Sequence, residues 1–110
     1  MKPVEPADEI IFANPRFENE YAALHEEDWL RKALNRALER LKGNVLCGER
    51  ISKKLIPKGY VKKYDINNLF WYQLPNAWRL VYSVLMNRDN RIVMIIEYFD
   101  HKEYERRFRY

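Results

Sequence analysis

A histidine follows directly on an apolar run near the C-terminus, in the sequence Asp100-His101-Lys102-Glu103-Tyr104. An imidazole changes charge near neutral pH, and His101 is flanked by a cation and by carboxylates, so it could exchange protons with a substrate. The alternative is that Asp100 caps a C-terminal helix and His101 is simply its first residue. The other histidine, His25, lies in an acidic turn and is expected to be a solvated helix-end residue.

An arginine lies inside a run of strand-forming residues, Trp78–Tyr82. Because side chains alternate along a strand, Arg79 and Val81 would share one sheet face and the apolar residues around them the other. A guanidinium on a rigid strand is well placed to bind a phosphate with two parallel hydrogen bonds. The alternative is an ion pair between Arg79 and a carboxylate such as Glu97 on the next strand.

Two further segments are rich in cations. The C-terminal run Arg106-Arg107-Phe108-Arg109-Tyr110 alternates basic and aromatic groups, which suits stacking on unpaired bases and pairing with phosphates. The alternative there is a helix that buries Phe108 and leaves its arginines in water. The connector over residues 45–68 reads as irregular and is the most basic part of the chain, with Arg50, Lys53, Lys54, Lys58, Lys62 and Lys63.

The charge of the 110-residue chain is divided unevenly. Residues 1–30 hold two basic and eight acidic residues, whereas residues 31–110 hold eighteen basic and eight acidic ones, which gives the overall +4. A field of that sign attracts polyanions such as nucleic acid, or a protein with an acidic segment. The alternative is that these cations only solubilise the surface.

Composition narrows the class of protein. One cysteine, Cys47, cannot form an internal disulfide, and neither a membrane-spanning run nor a signal peptide is visible, so we expect a cytoplasmic protein. The sequence shows no glycine-rich phosphate loop, metal-ligand cluster or Ser/His/Asp arrangement. We therefore expect no metal and no cofactor.

Periodicity predicts the elements that position these groups. A first helix begins at Asn14-Pro15 and a second runs from Trp29 to Lys42-Gly43-Asn44, with a tight turn near Glu26. Ile10–Phe12 is either a first strand or the entry to a helix. Three strands are expected over Leu69–Leu74, Trp78–Leu85 and Ile92–Phe99. The prediction is one α+β domain over residues 1–110, an N-terminal helical hairpin packed on a small twisted antiparallel sheet.

The stretch Asn68–Tyr82, with its Trp-Arg-Leu-Val-Tyr strand, resembles the central hairpin of the RelE/ParE toxin superfamily. The segment Ile96–Tyr104 is similar to the last strand and C-terminal segment of that family. The resemblance implies the toxin of a type II toxin–antitoxin system, with a RelE-like fold and a cognate antitoxin as partner. Members of the RelE type enter the ribosome and cut mRNA without a metal, whereas those of the ParE type inhibit DNA gyrase. A third alternative is an inactive member that acts only as a binding domain.

The resemblance also implies roles for residues. Arg79 matches the arginine expected to contact the phosphate, and His101, Lys102 and Tyr104 fall where members carry catalytic groups. Members that cut with lysines on the first hairpin strand would have them near Phe70 and Tyr72, which are aromatic here, so a histidine-centred mechanism is favoured. The expected RNA-binding residues are Lys53, Lys54, Lys58, Lys62, Lys63, Arg106, Phe108 and Tyr110.

Overall fold

A computed structural model describes residues 4–108. In that part of the chain the strands are β1 (Glu9–Phe12), β2 (Glu49–Arg50), β3 (Phe70–Gln73), β4 (Arg79–Asn87) and β5 (Asn90–Phe99). The α-helices are α1 (Pro15–Ala23), α2 (Trp29–Gly43), α3 (Lys58–Tyr64) and α4 (His101–Arg107). The fold is α+β, as predicted, and none of these helices is long and apolar enough to cross a membrane.

The sheet is mixed, with the strand order β1-β5-β4-β3-β2. The prediction of a wholly antiparallel sheet was wrong, because β1 pairs in parallel with β5 and places Glu9 opposite Ile92. Ile10–Phe12 therefore forms an edge strand rather than the entry to a helix. The three predicted strands are confirmed as β3, β4 and β5, which pair antiparallel in chain order.

The two sheet faces carry different helices. One face packs Leu80, Tyr82 and Val93 against buried residues of α1 and α2. The opposite face packs Val81 and Ile96 against Tyr60 of α3 and against Phe108, which follows α4. The predicted alternation along β4 is therefore confirmed, and it places Arg79 on the face that carries α3 and α4.

Local sequence sets the helix ends. The Asn14 side chain accepts a hydrogen bond from the Arg16 amide at the start of α1, and Asp28 does the same for Leu30 at the start of α2. At the end of α1, the Arg31 guanidinium donates to the carbonyl oxygens of Tyr21 and Leu24. This arginine from α2 thus adds a donor to carbonyl oxygens at the end of α1, where Tyr21 also accepts from the Leu24 amide.

The connector over residues 45–68 is more ordered than the sequence predicted. It contains β2, a short 3-10 turn at Lys53–Leu55 and the seven-residue helix α3. Helix α3 follows Pro57 and is capped at its C-terminal end by Asp65, whose backbone is left-handed with φ of 52°. Tyr60 is buried on its inner side, so the lysines of this segment are held on a packed element rather than a loose loop.

Gly48 lies directly before the edge strand β2, against the backbone of β3 and the Tyr82 hydroxyl. Its amide donates to the Tyr82 hydroxyl at 3.0 Å, and that hydroxyl donates to the Val45 carbonyl oxygen at 2.8 Å. Burial raises the pKa of Tyr82, which keeps the hydroxyl protonated as a donor. A Cβ atom at position 48 would lie 2.6 Å from the Tyr82 hydroxyl oxygen and 2.7 Å from the Trp71 carbonyl oxygen.

We therefore expect Gly48→Ala to lower the free energy of unfolding by about 2 kcal/mol, because backbone or a buried ring must shift. The midpoint of urea unfolding measures this loss. Gly59→Ala is the matched control: nothing lies within 4 Å of the added carbon on α3, and alanine favours a helix. Equal midpoints for the two variants would contradict the prediction.

Candidate RNA-binding and catalytic face

Arg79 is held between two aromatic rings at the start of β4. Its guanidinium carbon lies 4.0 Å from the ring centre of Trp71 on β3 and 4.1 Å from that of Tyr104 on α4. Both contacts are in the range of attractive cation–π interactions. The rings cover the two faces of the guanidinium, and its N–H donors lie in its plane and are directed to the sides. The stacking therefore fixes the group while leaving its edges available to a ligand.

The expected alternative for Arg79, an ion pair with Glu97, is wrong. The Glu97 carboxylate instead forms an ion pair with Arg107, whose Nε lies 2.8 Å away, and accepts a hydrogen bond from the Tyr60 hydroxyl at 2.7 Å. Within residues 4–108, the Arg79 guanidinium makes neither an ion pair nor a hydrogen bond. Its five donors are thus not taken by any described protein acceptor.

His101 lies at the same end of the sheet as Arg79. Arg79 pairs across the sheet with Phe99, two residues before His101. Asp100 caps α4 by accepting from the Glu103 amide at 2.9 Å, so His101 is the first residue of this helix, as the alternative interpretation expected. Its Nε2 lies 2.9 Å from a carboxylate oxygen of Glu105, one helical turn on. This contact orients the imidazole and leaves Nδ1 for another partner.

The other expected catalytic residues take different positions. Lys102 is exposed on α4, whereas Tyr104 is half-buried, packs on Phe99 and forms one wall of the Arg79 slot. Tyr104 therefore contacts the guanidinium directly and holds it in place. The sequence indicated Tyr104 as a site residue, but it did not single out Trp71, which forms the opposite wall.

The expected RNA-binding residues separate into exposed and buried groups. Phe108 is only 3% exposed and stacks on Tyr104 with 4.6 Å between the ring centres, so the prediction that Phe108 stacks on an RNA base is wrong. Arg106 is exposed and pairs with Glu103 at 2.9 Å. Tyr110 lies outside the described residues. The lysines of the connector are all exposed, on the 3-10 turn or on α3: Lys53, Lys54, Lys58, Lys62 and Lys63.

A buried carboxylate joins the two helices of this face. Glu97 on β5 is 7% exposed and bonds Tyr60 of α3 and Arg107 of α4. Burial and then the hydrogen bond to Glu97 raise the pKa of Tyr60, so its hydroxyl stays protonated and donates. The Tyr60 and Phe108 rings also meet edge to face, with centres 6.1 Å apart. The lysine-bearing helix, α4 and Arg79 are therefore parts of one packed face.

A groove of about 650 Å³ lies between α1, the end of β5 and one side of α4. Its lining carries both signs of charge and includes Asp100, Glu103 and Arg107, but neither Arg79 nor His101. Among the described residues, no group of three or more His, Cys, Asp and Glu side chains is arranged to hold a metal ion. The chemistry that this chain can offer therefore centres on the Arg79 slot and the start of α4.

Comparisons of the chain with protein-family models, with curated proteins and with solved structures gave no match. A functional assignment therefore has to come from the residues of this face and from the sequence pattern around them.

Proposed function

We propose that this chain is the toxin of a type II toxin–antitoxin system and that it cuts mRNA on the ribosome, in the cytoplasm. The observation that carries the proposal is the Arg79 guanidinium, which is stacked between Trp71 and Tyr104 with its donors unused by the described residues. It lies on the face with the connector lysines, where a polyanion would be attracted. Tyr104 contacts Arg79 and also stacks on Phe108, so it serves to position the guanidinium that would pair with a phosphate.

The proposed reaction breaks the RNA chain without a metal. The 2′-oxygen of one nucleotide bonds to the adjacent phosphorus, and the bond from that phosphorus to the 5′-oxygen of the next nucleotide breaks. The 2′-hydroxyl gives up its proton to a base, and the leaving 5′-oxygen takes one from an acid. The products are a 2′,3′-cyclic phosphate and a free 5′-hydroxyl.

Each site residue has a role in that scheme. Arg79 donates hydrogen bonds to the phosphate oxygens as negative charge builds on them. His101, oriented by Glu105, acts as the general base or the general acid, while Lys102 and Arg106 add positive potential on α4. The connector lysines hold ribosomal RNA or mRNA through its phosphates.

The proposal includes a RelE-like fold and a partner. We propose that α1 and α2 act as the helical hairpin of that fold, joined by residues 24–28 and tied by Arg31. A cognate antitoxin would place an acidic or amphipathic segment over the lysines and Arg79 and so block the RNA site. Because those lysines are exposed, this masking would weaken as salt is raised.

Induction of the chain in bacterial cells tests the proposal. We expect growth to stop, protein synthesis to fall, and ribosome-bound mRNA to acquire new 5′ ends. His101→Ala should relieve the arrest, because proton transfer then lacks the imidazole. Arg88→Asn is the matched control. It removes a cation from the β4–β5 turn, nine residues after Arg79 in the chain. The backbone of Arg88 is left-handed, and asparagine tolerates that conformation.

Other outcomes point to the other functions. Growth arrest with intact mRNA and a DNA-damage response would indicate a gyrase inhibitor, and the nuclease proposal would then be wrong. Normal growth with the protein present at the same level would indicate an inactive binding domain.

A further inference from the structure

A cationic groove runs along the open edge of the sheet, on the side of α2. One part, of about 310 Å³, is lined by Arg36 and Arg40 of α2 and by Tyr72 and Gln73 of β3. A second part, of about 240 Å³, shares Arg40, Tyr72 and Gln73 and continues to Trp71. The two parts therefore form one track that leads from the α2 arginines to Trp71, the residue whose ring also contacts Arg79.

The sheet edge is open where this groove crosses it. Strand β2 is two residues long and pairs only with Phe70 and Trp71, so β3 has no strand partner on that side at Tyr72 and Gln73. Tyr72 is half-buried, and its ring forms part of the wall. The groove therefore lies along a part of β3 that no described strand pairs with on this side.

The two arginines of the groove are not occupied by other groups. Both are exposed, and in the part of the chain that the structure describes neither guanidinium has an ion pair or a hydrogen-bond acceptor. They lie four residues apart on one flank of α2, so their side chains emerge about 6 Å apart. That separation is comparable with the spacing of neighbouring phosphates along an extended single strand.

We propose that this groove binds the single-stranded RNA that flanks the cut, with Arg36 and Arg40 on successive phosphates. The inference rests on the proposed function, because it extends the RNA path away from Arg79. Arginines beside the aromatic residues Tyr72 and Trp71 favour a nucleic acid over an acidic peptide, since each base offers a flat surface to a ring. Glu49 is the single acidic residue among those that line the groove, and it lies beside Trp71.

The test compares the binding of short and long RNA to the whole chain. Fluorescence anisotropy would give the Kd for single-stranded oligonucleotides of about three and about ten nucleotides, at several salt concentrations. We expect the double variant Arg36→Gln/Arg40→Gln to bind the longer RNA about tenfold more weakly. The slope of log Kd against log salt should fall by about 1.4, since each single-strand phosphate contact contributes about 0.7. The affinity for the short RNA should stay unchanged.

The matched control is Lys32→Gln/Lys42→Gln. It removes the same charge from α2 at residues that do not line either part of the groove. If this control weakens the binding of long RNA as much as the arginine variant does, the effect is general electrostatics and the groove is not the path.

The outcomes separate this inference from the proposed function. If the wild-type chain binds neither RNA, this inference is overturned, whereas the proposed function is overturned by the absence of mRNA cleavage on programmed ribosomes. If it binds both with Arg79-dependent affinity but Arg36→Gln/Arg40→Gln changes nothing, only the groove proposal is overturned. If polyglutamate, and not RNA, depends on Arg36 and Arg40, the groove is a peptide site and the proposal is wrong.

Discussion

Replacing Arg79 by alanine is expected to lower the rate of mRNA cleavage by about 100–1,000-fold, the usual effect of removing one fixed donor to a developing negative charge. The stacked guanidinium is already in position, so it need not reorganise when the phosphorus becomes five-coordinate. Single-turnover cleavage on programmed ribosomes measures the rate. In cells, the same variant should no longer arrest growth when it is induced.

The substitution Arg79→Lys distinguishes geometry from charge. Lysine keeps the positive charge, but it lacks the planar group that stacks between Trp71 and Tyr104 and binds a phosphate at two points. We therefore expect Arg79→Lys to recover only a small part of the lost rate. Arg88→Asn should cut at the wild-type rate, and all variants should unfold at similar urea concentrations. Full toxicity of Arg79→Ala would show that this arginine is not the phosphate contact.

The position of Arg79 could be predicted from sequence because it follows from a local rule. Side chains alternate on a strand, so the buried Leu80 and Val81 fix which face each neighbour takes. A different pattern indicated β5, a nearly continuous apolar run that is typical of a strand buried on both faces, and it is buried from Val93 to Phe99. The start of α4 could also be predicted, because the Asp100 side chain caps the helix by accepting from the amide of Glu103, only three residues further on.

The partners of Arg79 could not be predicted, because they come from distant parts of the chain. Trp71 is eight residues before Arg79 across a turn, and Tyr104 is twenty-five residues after it on another element. The contacts of these two rings with Arg79 depend on the strand register and on how α4 packs, and neither can be predicted from a short sequence motif. Glu97 likewise reaches back 37 residues to Tyr60. The parallel β1 was ambiguous because four residues are too few to show a period.

The packing of α3 and α4, the two helices on the face of the proposed site, depends on Glu97. Its Oε2 atom accepts a hydrogen bond from the Tyr60 hydroxyl and forms an ion pair with the Arg107 Nε. One carboxylate oxygen therefore links both α3 and α4 to β5. Glu97→Ala would leave the buried Tyr60 hydroxyl without its acceptor and open a cavity beneath both helices. We expect this change to lower the free energy of unfolding by about 3 kcal/mol, the low end for a broken buried pair, because Arg107 can turn to water.

Two comparisons make the Glu97 prediction specific. Glu97→Gln keeps an oxygen acceptor for Tyr60 and should cost about 1 kcal/mol, since it loses charge but not the hydrogen bond. Glu20→Gln breaks the exposed pair between Arg16 and Glu20, and it should cost less than about 0.5 kcal/mol because solvent screens that pair. Urea unfolding followed by circular dichroism measures all three free energies. A loss for Glu97→Ala no larger than that for Glu20→Gln would mean that α3 and α4 are held by their aromatic packing alone.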